Sequence, residues 1–359
     1  MKPQKNRTPF EFAGEKILPG ERRTIDIPLA PLVTNDNLAM SVTVVAGRRA
    51  GPTLLVSAAI HGDEINGVEI IRRLLRHPAM QQLRGTLLAI PVVNVHGFLH
   101  QTRYLPDGRD LNRSFPGSST GSLASRVADK FVDQVLHRCN YALDLHTGAR
   151  HRTNLPQIRV DLTNPESEAL GMAFGVPVLL HSRLRDGSLR EEAAQHGIPF
   201  LLYEGGESLR FDEFSIRVGV RGILNVMRYL DMLRPTRRRK PVPKPFISRR
   251  STWVRANTSG VMRSLANIGR RVTEGELLGI IGDPMGNLET GLYAPEDGII
   301  IGKLNLPLVN EGDALFHIAC YKDLSEHAEQ AITDLQLEVG SQVEMDQLFA
   351  TLDGGNQDP

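Results

Sequence analysis

His61 and Glu64, in the tetrapeptide His-Gly-Asp-Glu, follow directly on the apolar run Thr53–Ile60 (TLLVSAAI). An imidazole and a carboxylate three residues apart in such a turn can converge on one ion, and both are good zinc donors at about 2.0–2.2 Å. The pair alone is common in proteins, and Glu64 is equally readable as a first-turn acid facing a helix dipole. A second stretch, Asp144-Leu-His146-Thr-Gly148, ends the apolar run Tyr141–Leu145 and adds a third donor, His146. Two histidines and one carboxylate, with a fourth position left for water, is the donor pattern of a catalytic rather than a structural zinc site. Asp144 points the same way as His146 in a regular strand and is placed to orient that imidazole.

Hydrolysis at such a centre needs a base that takes a proton from water and returns it to the leaving amine. The stretch Leu202-Tyr203-Glu204-Gly205-Gly206-Glu207 ends another apolar run and offers Glu204 for that role, with Glu207 as its competitor. Residues Arg103 to Gly117 (RYLPDGRDLNRSFPG) are too polar for a buried element and read as a loop. Its arginines and Asn112 are suited to holding a substrate carboxylate, and an arginine near the metal to stabilising an oxyanion. Plain solvated charge is the alternative.

The elements that must position these residues alternate along the chain. Strand-like runs at Ala39–Ala46, Thr53–Ile60, Thr86–Val93, Tyr141–Leu145, Pro177–His181 and Pro199–Tyr203 interleave with helical periodicity. The helical segments are Glu64–Arg76, Leu123–His137, Pro165–Phe174, Leu189–Gln195 and Glu213–Leu233. In the first of these, Ile65, Val68, Ile71, Leu74 and Leu75 share a face. The fold class that follows is α/β, a mixed and mostly parallel sheet with helices on both faces. Each chemical stretch then falls at a carboxyl strand end, where open α/β sheets bind ligands.

Length and composition set the outer bounds. A chain of 359 residues suggests more than one domain. Residues 1–38 read as an N-terminal lead-in with a strand near Arg23–Pro28, and 39–234 as the catalytic domain. Residues 235–250 form a basic, proline-rich linker, stiff and solvated, with an anion- or RNA-binding patch as the less favoured reading. A small β domain spans 251–320, with short strands between glycine-rich turns, and 321–359 is a tail. A formal net charge of +1 disfavours a dedicated nucleic-acid binder, and no apolar stretch is long enough for a membrane helix. The opening MKPQKNRTPFEFAGEK lacks the apolar centre of a secretory signal, so cytoplasm is the expected location. Cys139 and Cys320 are expected as reduced, buried thiols.

Taken together, the motifs HGDE, DLNRSFPG, DLHTG and EGG occur in the order and strand-end positions of the succinylglutamate desuccinylase/aspartoacylase family, which the sequence resembles from Pro52 to Leu233. The resemblance implies a zinc-carboxypeptidase-like fold and one Zn²⁺ per chain on His61, Glu64 and His146. It implies Glu204 as the proton shuttle, Arg103 as the oxyanion-stabilising arginine, and Asn112 and Arg113 as the grip on a substrate carboxylate. Asp110 braces that loop. The chain departs from the aspartoacylases in having Ala194 where they carry an arginine for the substrate side chain; Arg183, Arg185 or Arg190 are candidate substitutes. The basic segment Gly148–Asp161 adds Arg150, Arg152 and Arg159 as candidate substrate contacts, with surface charge as the alternative. The β-rich end resembles the hammerhead repeats of biotinyl/lipoyl-type domains, but its tip Gly282–Asn287 (GDPMGN) has no lysine to carry a cofactor.

The expected activity is zinc-dependent hydrolysis of a linear amide in an N-acylated amino acid or related small molecule. A metallocarboxypeptidase acting on a short peptide, and a non-catalytic zinc-binding scaffold, are the rival readings. Neither nucleic acid nor membrane is an expected partner, and a homo-oligomer is left open.

Overall fold

The computed structural model describes residues 7–30, 34–235, 245–321, 332–335 and 337. A hairpin of β1 (Phe10–Phe12) and β2 (Glu15–Ile17) leads into β3 (Arg22–Pro28), β4 (Ala39–Ala46) and β5 (Arg49–Ala58). Then come α1 (Asn66–Arg76), β6 (Arg84–Ile90), α2 (Val95–Leu99), α3 (Leu123–Gln134), β7 (Tyr141–Gly148) and β8 (Arg152–Val160). The chain continues through α4 (Pro165–Phe174), β9 (Val178–His181), α5 (Leu189–Gln195), β10 (Phe200–Glu207) and α6 (Glu213–Tyr229). Strands alone follow: β11 (Phe246–Ser248), β12 (Arg250–Arg255), β13 (Gly260–Ser264), β14 (Arg271–Val272), β15 (Leu277–Gly282), β16 (Glu289–Tyr293), β17 (Gly298–Leu304), β18 (Leu308–Val309) and β19 (Ala314–Cys320).

The centre of the large sheet, β6-β5-β7-β10, is parallel. Antiparallel β4 and β3 extend one side, and β8 pairs antiparallel to β10 on the other. The class is therefore α/β with a mixed sheet. Alternation along β5 sends Leu54, Val56 and Ala58 to one hydrophobic cluster and Leu55 to the opposite one. Ile70, Ile71 and Leu74 of α1, with Phe174 and Val226, cover the first face; Phe131 and Leu189 cover the second. A strand buried on both faces reads as an unbroken apolar run, which is why TLLVSAAI is recognisable.

Three features differ from the sequence reading. The basic segment after His146, to which the sequence pattern assigns no element, is a strand: Arg152–Val160 forms β8, packed between β10 and β17. Phe246–Ser248, inside the segment read as linker, is a strand parallel to β9; residues 236–244 of that segment lie outside the described residues. The strands of the β-rich end divide between two sheets. Strands β17, β19 and β12 continue the large sheet beyond β8, whereas β16-β15-β13-β18 form a second sheet. Most of the tail 321–359 is outside the described residues. Among the described residues, no helix is long and apolar enough to cross a membrane.

Candidate metal centre and cleft

Parallel strands β5, β7 and β10 end on one edge and bring the three chemical stretches together there. After β5 the backbone turns through Ala59, a non-glycine residue with φ of 50°. Gly62 then passes so close to the next segment that a Cβ would lie 1.9 Å from the Gly97 carbonyl carbon, so only glycine fits. The Glu64 N–H donates to the His61 carbonyl, and α1 begins only at Asn66. Glu64 thus stays in the turn, facing the cleft.

His61, Glu64 and His146 are buried, and one donor atom from each lies within 4.8 Å of the other two. Both imidazoles turn Nδ1 inward: each lies 2.8 Å from a different oxygen of Glu64. Both turn Nε2 outward to a carboxylate, His61 to Asp110 at 3.1 Å and His146 to Asp144 at 2.8 Å. Outer carboxylates of this kind fix the orientation of metal-binding histidines. Asp144 is held in turn by the Ser57 hydroxyl at 2.7 Å. Asp110 also accepts from Arg103 and from the Asn112 N–H, so it braces the loop and His61 at once.

The donor set fits a divalent cation on two counts. His61 Nδ1 is buried and, despite its closeness to Glu64, has no hydrogen-bond partner of acceptable geometry. Three carboxylates (Glu64, Asp110, Asp144) oppose one guanidinium, Arg103, around the two imidazoles; with the imidazoles neutral, as metal binding requires, an excess of two negative charges remains for a divalent ion to cancel. The protonation tendencies show the same excess. Burial works against charge on His146, yet Asp144 and Glu64 raise its pKa well above the ordinary value. Burial likewise opposes ionisation of Glu64, and the two imidazoles hold its pKa well below that of a usual carboxylate.

Glu204 stands opposite His146 in the β10–β7 register. It is buried, and its Oε2 accepts a 2.7 Å hydrogen bond from Asn154 Nδ2 on β8. Arg159 Nε lies 3.4 Å from Oε1. Glu207 is bonded to Asn305 and is not among the residues lining the cleft. Arg103 donates to Glu64 at 3.1 Å; burial would lower its pKa, and Glu64 and Asp110 more than reverse this. The Asn112 side-chain oxygen is committed to the Leu189 N–H, so what it can offer the cleft is its Nδ2 donor. Arg113 is exposed and lines the mouth.

Of the arginines after His146, Arg152 and Arg159 line the cleft. Arg150 does not: it is exposed and donates to the Tyr104 hydroxyl. Arg185 and Arg190 line the cleft and Arg183 does not. Asn154 and Trp253 also form part of the wall, and neither carries a sequence signal. Asn154 sits in a segment whose strand character is hidden by charge, and Trp253 arrives from a distant part of the chain. Trp253 is fixed by parallel stacking on His317, with ring centroids 4.2 Å apart, and by the Arg152 guanidinium over its face.

The catalytic-domain model of the succinylglutamate desuccinylase/aspartoacylase family matches residues 50–230. The chain is 27% identical over 304 residues to the N-alpha-acetyl-L-2,4-diaminobutyric acid deacetylase of Halomonas elongata, covering 80% of this chain and 89% of that protein. It is 30% identical over 192 residues to the succinylglutamate desuccinylase of Pseudomonas aeruginosa, a match covering 50% of this chain and 54% of the relative. Among solved structures, a succinylglutamate desuccinylase/aspartoacylase from Rhodobacter sphaeroides superimposes with a TM-score of 0.73 at 27% identity, over 84% of this chain and 96% of that one. The product-bound ectoine utilization protein EutE (DoeB) of Ruegeria pomeroyi shares the fold, with a TM-score of 0.76 at 21% identity over 85% of this chain and 98% of that one.

Proposed function

The chain belongs to the succinylglutamate desuccinylase/aspartoacylase family, and from that premise and the geometry of its cleft we propose that it hydrolyses the amide bond of an N-acylated amino acid with one zinc ion. The observation that carries the reading is the convergence of His61, Glu64 and His146, with Glu204 across the strand register from His146. The cleft, about 210 Å³, has the volume of a small molecule.

His61 Nδ1, Glu64 and His146 Nδ1 would hold the zinc, and zinc bound there supplies Lewis-acid polarisation of the scissile carbonyl and a lowered pKa for the attacking water. Glu204 takes the proton from that water. Its Oε2 is pinned by Asn154, which leaves Oε1 for the transfer. As the C–N bond breaks, the same carboxyl returns the proton to the amine nitrogen. Arg103, held between Glu64 and Asp110, meets the negative charge that develops on the carbonyl oxygen. Asn112 and Arg113 bind the carboxylate of the amino-acid part by charge-assisted hydrogen bonds.

The same reading assigns the large sheet to the zinc-carboxypeptidase type, with 39–234 as its catalytic domain. The region 251–320 is then a biotinyl/lipoyl-type barrel-sandwich without the cofactor lysine, kept for the wall it gives the cleft. The test is metal analysis of the purified chain together with a screen of N-acetyl, N-succinyl and N-formyl amino acids. One zinc per chain and release of free amine are expected. Stoichiometric zinc with no turnover on acyl-amino-acid and peptide panels alike would overturn the reading in favour of a scaffold.

A further inference from the structure

Away from the cleft, two histidines from distant parts of the chain face each other. His137 lies in the single helical turn Leu136–Arg138, which leads into β7, and His196 caps the C-terminal end of α5. Their Nε2 atoms are 3.3 Å apart, and the rings stand edge to face with centroids separated by 4.5 Å. The Glu192 carboxylate, one turn earlier on α5, lies 2.8 Å from the same His196 nitrogen. Its side chain is only 5% exposed, whereas that of His196 is 41% exposed and His137 is also open to solvent.

Three polar atoms thus compete for one hydrogen, because His196 Nε2 carries one at most. Directed at Glu192, that hydrogen leaves His137 Nε2 without a proper partner. A hydrogen on His137 pointing at His196 instead leaves the Glu192 oxygen against a nitrogen lone pair. A divalent cation in place of the hydrogen is attractive to all three. The spacing suits it: with bonds of about 2.0–2.1 Å, two nitrogens 3.3 Å apart subtend about 104–111° at zinc, close to the tetrahedral angle.

We propose that His137 and His196 chelate a second transition-metal ion, Zn²⁺ or another cation suited to imidazole, with Glu192 beside it as compensating charge and water completing the shell. The site is separate from the His61–Glu64–His146 centre: none of its three residues lines the cleft, and it does not depend on the hydrolase reading. The elements it joins give it a role. His137 stands four residues before Tyr141, where β7 begins, and α5 carries Leu189 and Arg190 to the cleft. The ion is a bridge that holds α5 against the entry to β7. Two exposed imidazoles bind less tightly than three buried donors, so the bridge fills second, at higher free metal, and one zinc remains after dialysis.

Zinc uptake by the untagged full chain is measured by equilibrium dialysis against rising free Zn²⁺, with thermal melting at each concentration. Wild type should take up a second equivalent, and its melting temperature should rise as that equivalent binds, by mass action. His137→Gln and His196→Gln should each lose the second equivalent and the accompanying rise while keeping the first. Both positions are exposed, and melting without added zinc verifies that the variants fold. A wild-type chain that stops at one zinc, or a second equivalent that either histidine variant retains, would overturn the bridge. A single zinc that both variants lose, and that His61→Ala leaves in place, would support the bridge while defeating the zinc-hydrolase reading.

Discussion

Asn154→Ala is expected to lower kcat by about 10- to 150-fold while changing KM far less. Asn154 is buried on β8, and its Nδ2 donates to Glu204 Oε2 at 2.7 Å. A hydrogen bond to a charged group contributes about 1.5–3 kcal/mol, and each 1.4 kcal/mol of lost transition-state positioning is about tenfold in rate. Without the amide, the Glu204 carboxylate can rotate away from the position the proposed proton transfer needs, while Asn112 and Arg113, the proposed substrate grips, are untouched. Asn154 is therefore a positioning residue, and a split between kcat and KM is what separates that role from a merely structural one. A second variant reaches the same amide from behind. Gly302 of β17 pairs with Asn154, and a Cβ there would lie 2.9 Å from Asn154 Oδ1, closer than real contacts allow. Gly302→Ala should therefore also lower kcat, by a smaller factor, from a strand about 100 residues past the base in sequence. Steady-state kinetics, zinc content and thermal melting would be measured on both. A folded, zinc-loaded Asn154→Ala protein with wild-type kcat would refute the chain of contacts.

Other expectations are simpler. Glu204→Gln should lose about 10²- to 10⁴-fold in kcat and keep its zinc, since general acid–base help is of that size and the glutamate is outside the donor set; turnover at the wild-type rate would remove it from the reaction. Asp144→Asn keeps the Ser57 contact but weakens the hold on His146, so zinc affinity should fall about 10- to 100-fold in a chelator competition, and an unchanged affinity would contradict the bracing role. The Glu69 carboxyl is lowered to about 2, by the Arg72 hydrogen bond foremost and then by Arg73. Because its folded pKa lies below its unfolded one, near 4.3, its contribution is complete above that value and fades as the pH falls towards 2. The stability difference between wild type and Glu69→Gln, read from urea melts, should shrink over that interval; a difference independent of pH would exclude this linkage.

The parallel centre and the three strand-end motifs are legible in the sequence because each has a strong local cause. Strands β5, β7 and β10 are buried on both faces and read as apolar runs, and the motif after each run must lie on the shared edge once the strands are parallel. Helix α5, Leu189–Gln195, is legible to the residue because Ser188 caps it. Strand β8 is not legible. Pro156 sits within it, Arg152 and Arg159 lie near its ends, and what makes it a strand is pairing on both sides with β10 and β17, which a local pattern does not reveal. The same segment therefore reads only as basic charge beside His146, and Asn154, the residue that bonds Glu204, goes unnoticed. Arg150 and Arg152 are equivalent candidates by composition. Only the entry into β8 separates the exposed arginine from the one that reaches the cleft.

The β-rich end, read alone, resembles an independent module, and its alternation gives no reason to connect it with hydrolysis. Its contacts argue otherwise. Strand β17 pairs with β8 and backs Asn154; β19 follows it, and β12 pairs with β19 to bring Trp253 to the cleft. His317, under the indole, sits among groups that keep its pKa well below the usual value: burial first, then Arg159 and Arg185. A neutral imidazole can lie flat against Trp253 and bond the Ser251 hydroxyl at 2.8 Å without adding a cation to a wall already rich in guanidinium groups. One sheet thus couples the two ends of the chain. A substitution that loosens β17 or β12 would shift Glu204 and the shape of the wall together, so the strands after residue 250 belong to the cleft as much as those that lead into His61, His146 and Glu204.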